Sequence, residues 1–376
     1  MLPAFAFSTA GTIRFGRGEA ARAIPEIRAL GRICLVTGRT PARADWLTDA
    51  LNDVFLITIS DEPDVGMIET AVASARAFSA QAVVAVGGGA AIDAGKAIAA
   101  LIPATRPMLD HLEVVGQGLP LDNAPLPFVA IPTTAGTGAE VTKNAVISVP
   151  SHRRKVSLRD ARMLPDLAIV DPSLTDRCPH GVTLASGLDA ITQVIEPYIC
   201  TRANPLTDAL CRDAIPMGLR ALPQLMIGED AQARDRMAWV SLCGGLALAN
   251  AGLGVIHGLA GPLGGLSGAS HGAICGALLP HGLAMNASRV ENRASLERID
   301  EIRGWIAGAL GGDMANAFAT LHRWACDAGL PGLDAQGISE QNRLDAAKAA
   351  ASSSSMKANP ASLTPQDMVD LMSAAR

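Results

Sequence analysis

From Met237 to Ser288 the chain runs for 52 residues without an Asp, Glu, Lys or Arg. A stretch this long with no ionised side chain has to be buried, because charged residues are what a solvated surface is rich in. It also holds three of the seven histidines: His257, His271 and His281. A buried imidazole with no partner costs on the order of a few kcal/mol, so the stretch should contain something for them to bind. Two folds meet these constraints. One is a membrane hairpin, the other the core of a globular domain with a ligand site inside it.

The hairpin fails on composition. A spanning helix needs about 20 predominantly apolar residues. The best window, Ala238 to Ala260, carries Ser241, Asn250 and His257, and Pro262, Gly264 and Gly265 then interrupt it. No Lys/Arg cluster flanks it to set an orientation. A globular core is expected, with no membrane partner. The start, Met1-Leu2-Pro3-Ala4-Phe5, has neither the basic nor the apolar region of a secretory leader, so a cytoplasmic protein is expected. Seven scattered cysteines without C-x-x-C spacing fit reduced thiols packed as small buried hydrophobes. A net charge of −5 argues against nucleic acid as a partner. The one dense basic run, His152-Arg153-Arg154-Lys155, reads as a solvated surface loop.

At 376 residues the chain is too long for one ordinary core, and two domains are expected, 1–178 and 179–376. The first alternates β-branched runs with Ala-rich stretches. Arg32–Thr37, Val54–Ile59, Ala82–Val86, Pro127–Ile131 and Leu167–Val170 read as strands. Pro41–Asn52, Asp64–Ser79 and Ala91–Leu101 read as helices. Continuous apolar strands separated by helices predict a parallel, Rossmann-like sheet covered on both faces, with its ligand beyond the carboxyl ends of the strands. Past His180 the strand-like runs vanish and Ala, Leu and Gly recur at helical spacing, which predicts an all-α second domain. Thr207–Ala221, Ala231–Gly252, Gly272–Ala287 and Leu296–Ala309 are its expected helices, with Pro216 and Pro280 as points of kinking. Thr364-Pro365-Gln366-Asp367 should cap a last one, and Ala350–Ser355 reads as a small low-complexity loop.

Two loops carry nucleotide chemistry. Gly87-Gly88-Gly89 follows a strand and opens a helix containing Asp93 and Lys96. Glycines admit a close ligand, and the helix start offers free N–H groups and a positive dipole end to a phosphate. Pro132-Thr133-Thr134-Ala135-Gly136-Thr137-Gly138 follows the next strand and lines the same crevice with hydroxyls. A third constellation suits a divalent metal. Asp189 and Gln193 share a helix face at i, i+4, and His257 and His271 follow in the uncharged stretch. One carboxylate and two imidazoles leave a position open for a substrate oxygen.

With these residues in view the chain resembles the iron-containing (group III) alcohol dehydrogenase family. The match spans Gly87–Gly89 with Asp93 and Lys96, the loop to Glu140, Lys155, Leu164-Pro165-Asp166 to Asp171-Pro172, Gly187-Leu188-Asp189-Ala190, His257, His271 and Leu279-Pro280-His281. The resemblance implies a dinucleotide-binding α/β domain, a helical domain (a dehydroquinate synthase-like architecture), a metal in the cleft between them, and often a homodimer. It implies an oxidoreductase that passes hydride between NAD(P) and a small alcohol, aldehyde or ketone, with Fe2+ or Zn2+ polarising the substrate oxygen. Lys155 then lies near the nicotinamide ribose. Two positions depart from the family. Gln193 stands where a His ligand is usual, and Gly261 where a second His often lies near the nicotinamide. Gln193 coordinates through its carbonyl oxygen, or the site is a three-ligand one as in the related glycerol dehydrogenases, or it is metal-free as in maleylacetate reductases. With Gly261, the proton falls to His271 or a water chain; His281, in a Leu-Pro-His context, reads as structural. The family also places an acidic cofactor contact just after the first clear strand. Here that position is Gly38, followed by Arg39. Losing the carboxylate and gaining a guanidinium favours NADP. The alternatives are a metal-independent reductase of a keto or ene acid, a lyase like dehydroquinate synthase, and a non-enzymatic binding protein.

Overall fold

The computed structural model describes residues 4–351 and 353–376. Met1–Pro3, part of the Met1–Phe5 start that carries the expectation of no leader, and Ser352 of the low-complexity loop lie outside the described residues. The chain divides into two compact units. One comprises Ser8–Thr134 and Gly138–Thr175; the other comprises Asp176–Arg376 with Ala135–Thr137 and residues 4–7.

The first unit is an α/β layer structure. Its strands are β1 (Thr12–Phe15), β2 (Ile33–Thr37), β3 (Val54–Thr58), β4 (Ala82–Gly87), β5 (Phe128–Pro132), β6 (Asn144–Val149), β7 (Arg154–Arg159) and β8 (Leu167–Val170). Six form a sheet in the order β1-β8-β5-β4-β2-β3, with every pair parallel. Successive side chains on a strand point to opposite faces, and the burial follows. Cys34, Val36, Val83 and Ala85 enter one core with Ile68 and Ile92. Ile33, Leu35, Val84 and Val86 enter another with Ala23 and Ile27. That two-sided burial explains why the central strands read as unbroken apolar runs.

Three local expectations need correction. The helix expected over Pro41–Asn52 is a 3-10 turn, Pro41–Ala44, followed by one α-turn, Asp45–Thr48. There Thr48 Oγ1 donates to the Ala44 carbonyl at 2.9 Å and Trp46 Nε1 to the Arg43 carbonyl at 3.1 Å, local bonds that compete with helix propagation. The run His152–Lys155 is not one solvated loop. His152 ends a 3-10 turn, Arg153 adopts left-handed backbone at φ 50°, and Arg154 and Lys155 begin β7, which pairs antiparallel with β6. Finally, Cys326 is exposed, whereas the other six cysteines are buried as expected.

The second unit is helical, and no strand occurs in it among the described residues. Its helices run His180–Ile199, Pro205–Ile227, Ala231–Asn250, Val255–Ser267, His271–Arg289, Arg293–Leu310, Ala317–Asp327, Glu340–Ala350 and Pro365–Ala374. They continue past both Pro216 and Pro280. The last starts with the expected box: Thr364 caps the Asp367 amide, and Asp367 reaches back to the Thr364 amide at 2.9 Å.

The uncharged stretch supplies most of three helices, whose Met237, Val240, Cys243, Ala247, Leu259, Ile274 and Leu278 side chains join one core. Among the described residues no single helix is long and apolar enough to cross a membrane. Ala231–Asn250 and Val255–Ser267 would reach that length only together, and they meet at 97°.

Candidate active site

The two loops expected to hold a nucleotide lie at the carboxyl ends of β4 and β5, beside the end of β2. From β2 the chain steps outward to β3 and returns on the other side of β2 to β4. The connections therefore diverge between β2 and β4, which is where open α/β sheets bind their ligands. The adjoining ends are Gly38 and Gly87. A Cβ on Gly87 would stand 2.5 Å from Ala91 Cβ and 3.2 Å from the Gly38 amide nitrogen, so only glycine allows this approach. Thr133 donates its amide to the Gly87 carbonyl at 2.9 Å. A Cβ on Gly88 would lie 3.3 Å from Thr134 Oγ1. The structure thus brings Gly38, Gly87, Gly88, Thr133 and Thr134 together. Gly89 opens the helix Gly89–Leu101, whose N-cap Gly88 has no side chain to occupy the first amides.

The other predicted residues of this unit hold protein partners. Asp93 Oδ2 accepts from the Val146 amide at 3.0 Å, which fastens the helix to β6. Lys96 is buried and donates to the Ala139 and Asn144 carbonyls at 2.8 and 2.7 Å. Lys155 is half-buried and pairs with Glu62. Arg39 is exposed and donates to the Ser60 carbonyl at 3.0 Å and to Asp61 Oδ1 at 2.7 Å.

In the helical unit Asp189, Gln193 and Glu196 lie on one face of the helix His180–Ile199, at helical spacing. His257 sits in the first turn of Val255–Ser267, and His271 is the first residue of the next helix. Asp189 Oδ1 is 3.4 Å from His257 Nε2 and 3.8 Å from His271 Nε2. Cys275, one turn after His271, places Sγ 3.6 Å from His271 Nε2. These four ligand atoms lie within 4.8 Å of one another. His257 Nδ1 is bonded to Glu196 Oε2 at 2.6 Å, which leaves Nε2 facing the cluster.

Electrostatics ties the group together. Burial alone would raise the Asp189 carboxyl, but His271 and then His257 outweigh it and hold it below its usual range. Burial alone would lower the two imidazoles, yet Cys275 and Asp189 raise both, with His271 reaching about 9. The donors also fit a divalent cation. Asp189 Oδ1 and His257 Nε2 are buried and have no hydrogen-bond partner. Their 3.4 Å separation exceeds the ~2.7–3.2 Å of a good N–H···O bond. It matches the edge of a tetrahedral site, roughly 3.4 Å when each ligand is about 2.1 Å from the metal.

A family model described as iron-containing alcohol dehydrogenase matches residues 10–172, and its C-terminal counterpart matches residues 183–376. The chain belongs to the iron-containing alcohol dehydrogenase family. Among its relatives, the NAD-dependent methanol dehydrogenase of Bacillus methanolicus is 33% identical over 77% of this chain and 76% of its own. The lactaldehyde reductase of Escherichia coli is 31% identical over 96% of each. Of the solved structures, a 1,3-propanediol oxidoreductase superposes at a TM-score of 0.89 with 29% identity, covering 100% of both chains. The sulfoacetaldehyde reductase of Bifidobacterium kashiwanohense, in complex with NAD+, superposes at 0.85 with 26% identity over 99% and 98%.

An iron-containing alcohol dehydrogenase transfers hydride between a nicotinamide cofactor and an alcohol or its carbonyl product, and that is the reaction class of this chain. Within it, Gln193 donates its amide to the Gly136 carbonyl at 2.6 Å. Gly261 faces open space, with nothing within 4 Å of where a Cβ would be. His281 lies outside the cluster, edge-on to His322 at 4.8 Å between centroids; burial, with His322, pushes it down to about 4. Two residues were not singled out from the sequence. Cys275 passed as a buried hydrophobe, although its position four residues after His271 places it on the same helix face. Glu196 carried a usable signal too, seven residues after Asp189 on that residue's face.

Proposed function

We propose that this alcohol dehydrogenase holds a divalent cation, Fe2+ or Zn2+, at Asp189, His257 and His271 and reduces small aldehydes or ketones with NADPH in preference to NADH. The observation that carries the reading is the pair of buried, unpartnered atoms, Asp189 Oδ1 and His257 Nε2, facing each other at 3.4 Å. A cation bound there supplies Lewis-acid polarisation of the substrate oxygen. Asp189 brings the negative charge that retains it, and Glu196 holds the His257 ring so that Nε2 faces the site. His271, whose side chain is 35% exposed against 3% for Asp189, marks the open side by which substrate and water enter. With no imidazole at Gly261, the proton travels by water along that side. Gly87–Gly89 and Thr133–Thr134 would hold the phosphates of the nicotinamide cofactor, which would supply the hydride. By the family resemblance Gly38, Asp93 and Lys155 would complete its surroundings.

The preference for NADP rests on Gly38, which removes a carboxylate from the end of β2, and on Arg39, whose bond to Asp61 is exposed and exchangeable for a 2′-phosphate. Arg39→Ala should lower kcat/KM for NADPH about tenfold and leave NADH nearly unchanged. Equal losses with both cofactors would remove Arg39 from the selection. The same proposal includes a domain boundary at Cys178/Pro179 and a cytoplasmic homodimer, the latter checked by light scattering on the purified protein.

Metal analysis of protein purified without chelator, paired with an aldehyde and ketone panel read by NADPH loss, tests the central claim. One cation per chain is expected, together with loss of activity on chelation. Asp189→Ala or His257→Ala should lower kcat far more than His281→Ala. A chain without stoichiometric metal whose activity resists chelators would instead be a metal-independent reductase of keto or ene acids.

A further inference from the structure

We infer that Cys275 is itself a metal ligand, so that this chain replaces one imidazole of its family's cation site with a thiolate and thereby favours zinc over ferrous iron. The inference rests on the reading that a cation binds at Asp189, His257 and His271.

The geometry comes first. Cys275 is buried, and its Sγ is 3.6 Å from His271 Nε2. It lies within 4.8 Å of every other ligand atom of the group. In a tetrahedral zinc site a sulfur about 2.3 Å and a nitrogen about 2.1 Å from the metal stand roughly 3.6 Å apart. The sulfur therefore takes the spacing of a ligand that shares a metal with His271. The helix register places it there: His271 and Cys275 are i, i+4 on one face of His271–Arg289.

A second observation concerns the opposite wall. The residue four positions after Asp189, where the family resemblance leads one to expect a histidine, is Gln193. Its amide is engaged with the Gly136 carbonyl at 2.6 Å. The site is therefore poorer by an imidazole on the Asp189 helix and richer by a sulfur on the His271 helix. Asp189, His257, His271 and Cys275 restore a count of four protein ligands. The partly exposed His271 side leaves room for a substrate oxygen as a fifth. Thiolate ligands select zinc and other soft or borderline ions, and the bound ion keeps the thiol deprotonated.

Cobalt substitution reads this without reference to activity. The whole protein is stripped, reloaded with Co2+ and examined by absorption, with bound cobalt counted by elemental analysis. The expected result is one cobalt per chain with an intense near-ultraviolet thiolate-to-cobalt charge-transfer band. That band should disappear in Cys275→Ser, and zinc should bind the variant at least tenfold more weakly. One cobalt per chain without the band in the parent protein overturns the thiolate ligand and leaves the cation reading standing. A band that persists in Cys275→Ser overturns it as well. If neither cobalt nor zinc binds stoichiometrically to the parent, this inference and the cation reading fall together. The parent spectrum decides even if the variant folds poorly.

Discussion

Glu196 uses both oxygens of one buried carboxylate. Oε1 accepts the Ile256 amide at 2.7 Å at the start of the helix Val255–Ser267, and Oε2 accepts from His257 Nδ1 at 2.6 Å. The first bond satisfies a helix-terminal N–H with a negative charge where the dipole favours it. The second fixes the tautomer that leaves Nε2 as an electron-pair donor. Gly254 makes the approach possible, because a Cβ there would lie 2.9 Å from Glu196 Oε1. In Glu196→Gln an amide N–H₂ can face Nδ1, which drives the ring proton to Nε2 and blocks the ligand atom. We predict that cation affinity falls about 10–100-fold, measured by competition with a chromophoric chelator; unchanged affinity would assign Glu196 to helix capping alone. Asp189, His257 and His271 were legible in the sequence because carboxylate and imidazole are informative residue types. Cys275 was not, since cysteine packs as a small hydrophobe far more often than it ligates. Glu196 sat in a run of apolar letters whose meaning depends on a helix 60 residues further on.

The elements that escaped sequence reading were those with weak local signals. β1 has four residues, lies at the sheet edge and is half exposed. The β6–β7 hairpin does alternate: Ala145, Ile147 and Val149 face inward, as do Val156 and Leu158. The Arg153–Lys155 charges disguised its second strand as loop. The glycine turn was legible because close approach admits no other residue type. It follows the fourth strand of the chain, not the third, since β1 went unseen. Gly87→Ala tests this element. Its Cβ would collide with Ala91 Cβ at 2.5 Å and press on the Gly38 amide at 3.2 Å, wedging apart the ends of β2 and β4. We expect a loss of about 1–3 kcal/mol in stability and at least tenfold weaker NADPH binding in a fluorescence titration. Gly181→Ala, in a helix with nothing within 4 Å of its Cβ, serves as the control and should not lower stability. If the two variants bind NADPH alike, the β2/β4 junction is not the nucleotide site.

The molecule's division of labour follows from where charge is allowed. The helical unit keeps 52 residues free of ionised side chains; its buried charged residues, Asp189, Glu196, Arg234, Arg343 and Asp367, all lie outside that stretch. That arrangement made the stretch the clearest guide to fold class, although letters alone could not say which histidines converge. The α/β unit buries charge as well. Burial pushes Glu140 up to about 7 and, against the pull of Asp93, brings Lys96 down to about 8. These shifts act on the stability of the whole chain through proton linkage. Glu140 binds its proton more tightly folded than unfolded, so its contribution is fully present below about 4.5 and is lost as pH rises through about 7. Lys96 acts in a separate window: stability recovers with rising pH between about 8 and 10.5, where only the unfolded chain stays protonated. Glu140→Gln keeps the neutral form at every pH. Its urea midpoint should therefore match that of the parent protein near pH 4 and exceed it at pH 8, by a few kcal/mol at most in free energy. A variant that is less stable than the parent at pH 8 would mean that ionised Glu140 is a net stabilising partner of Lys96, and that burial is not what dominates its titration.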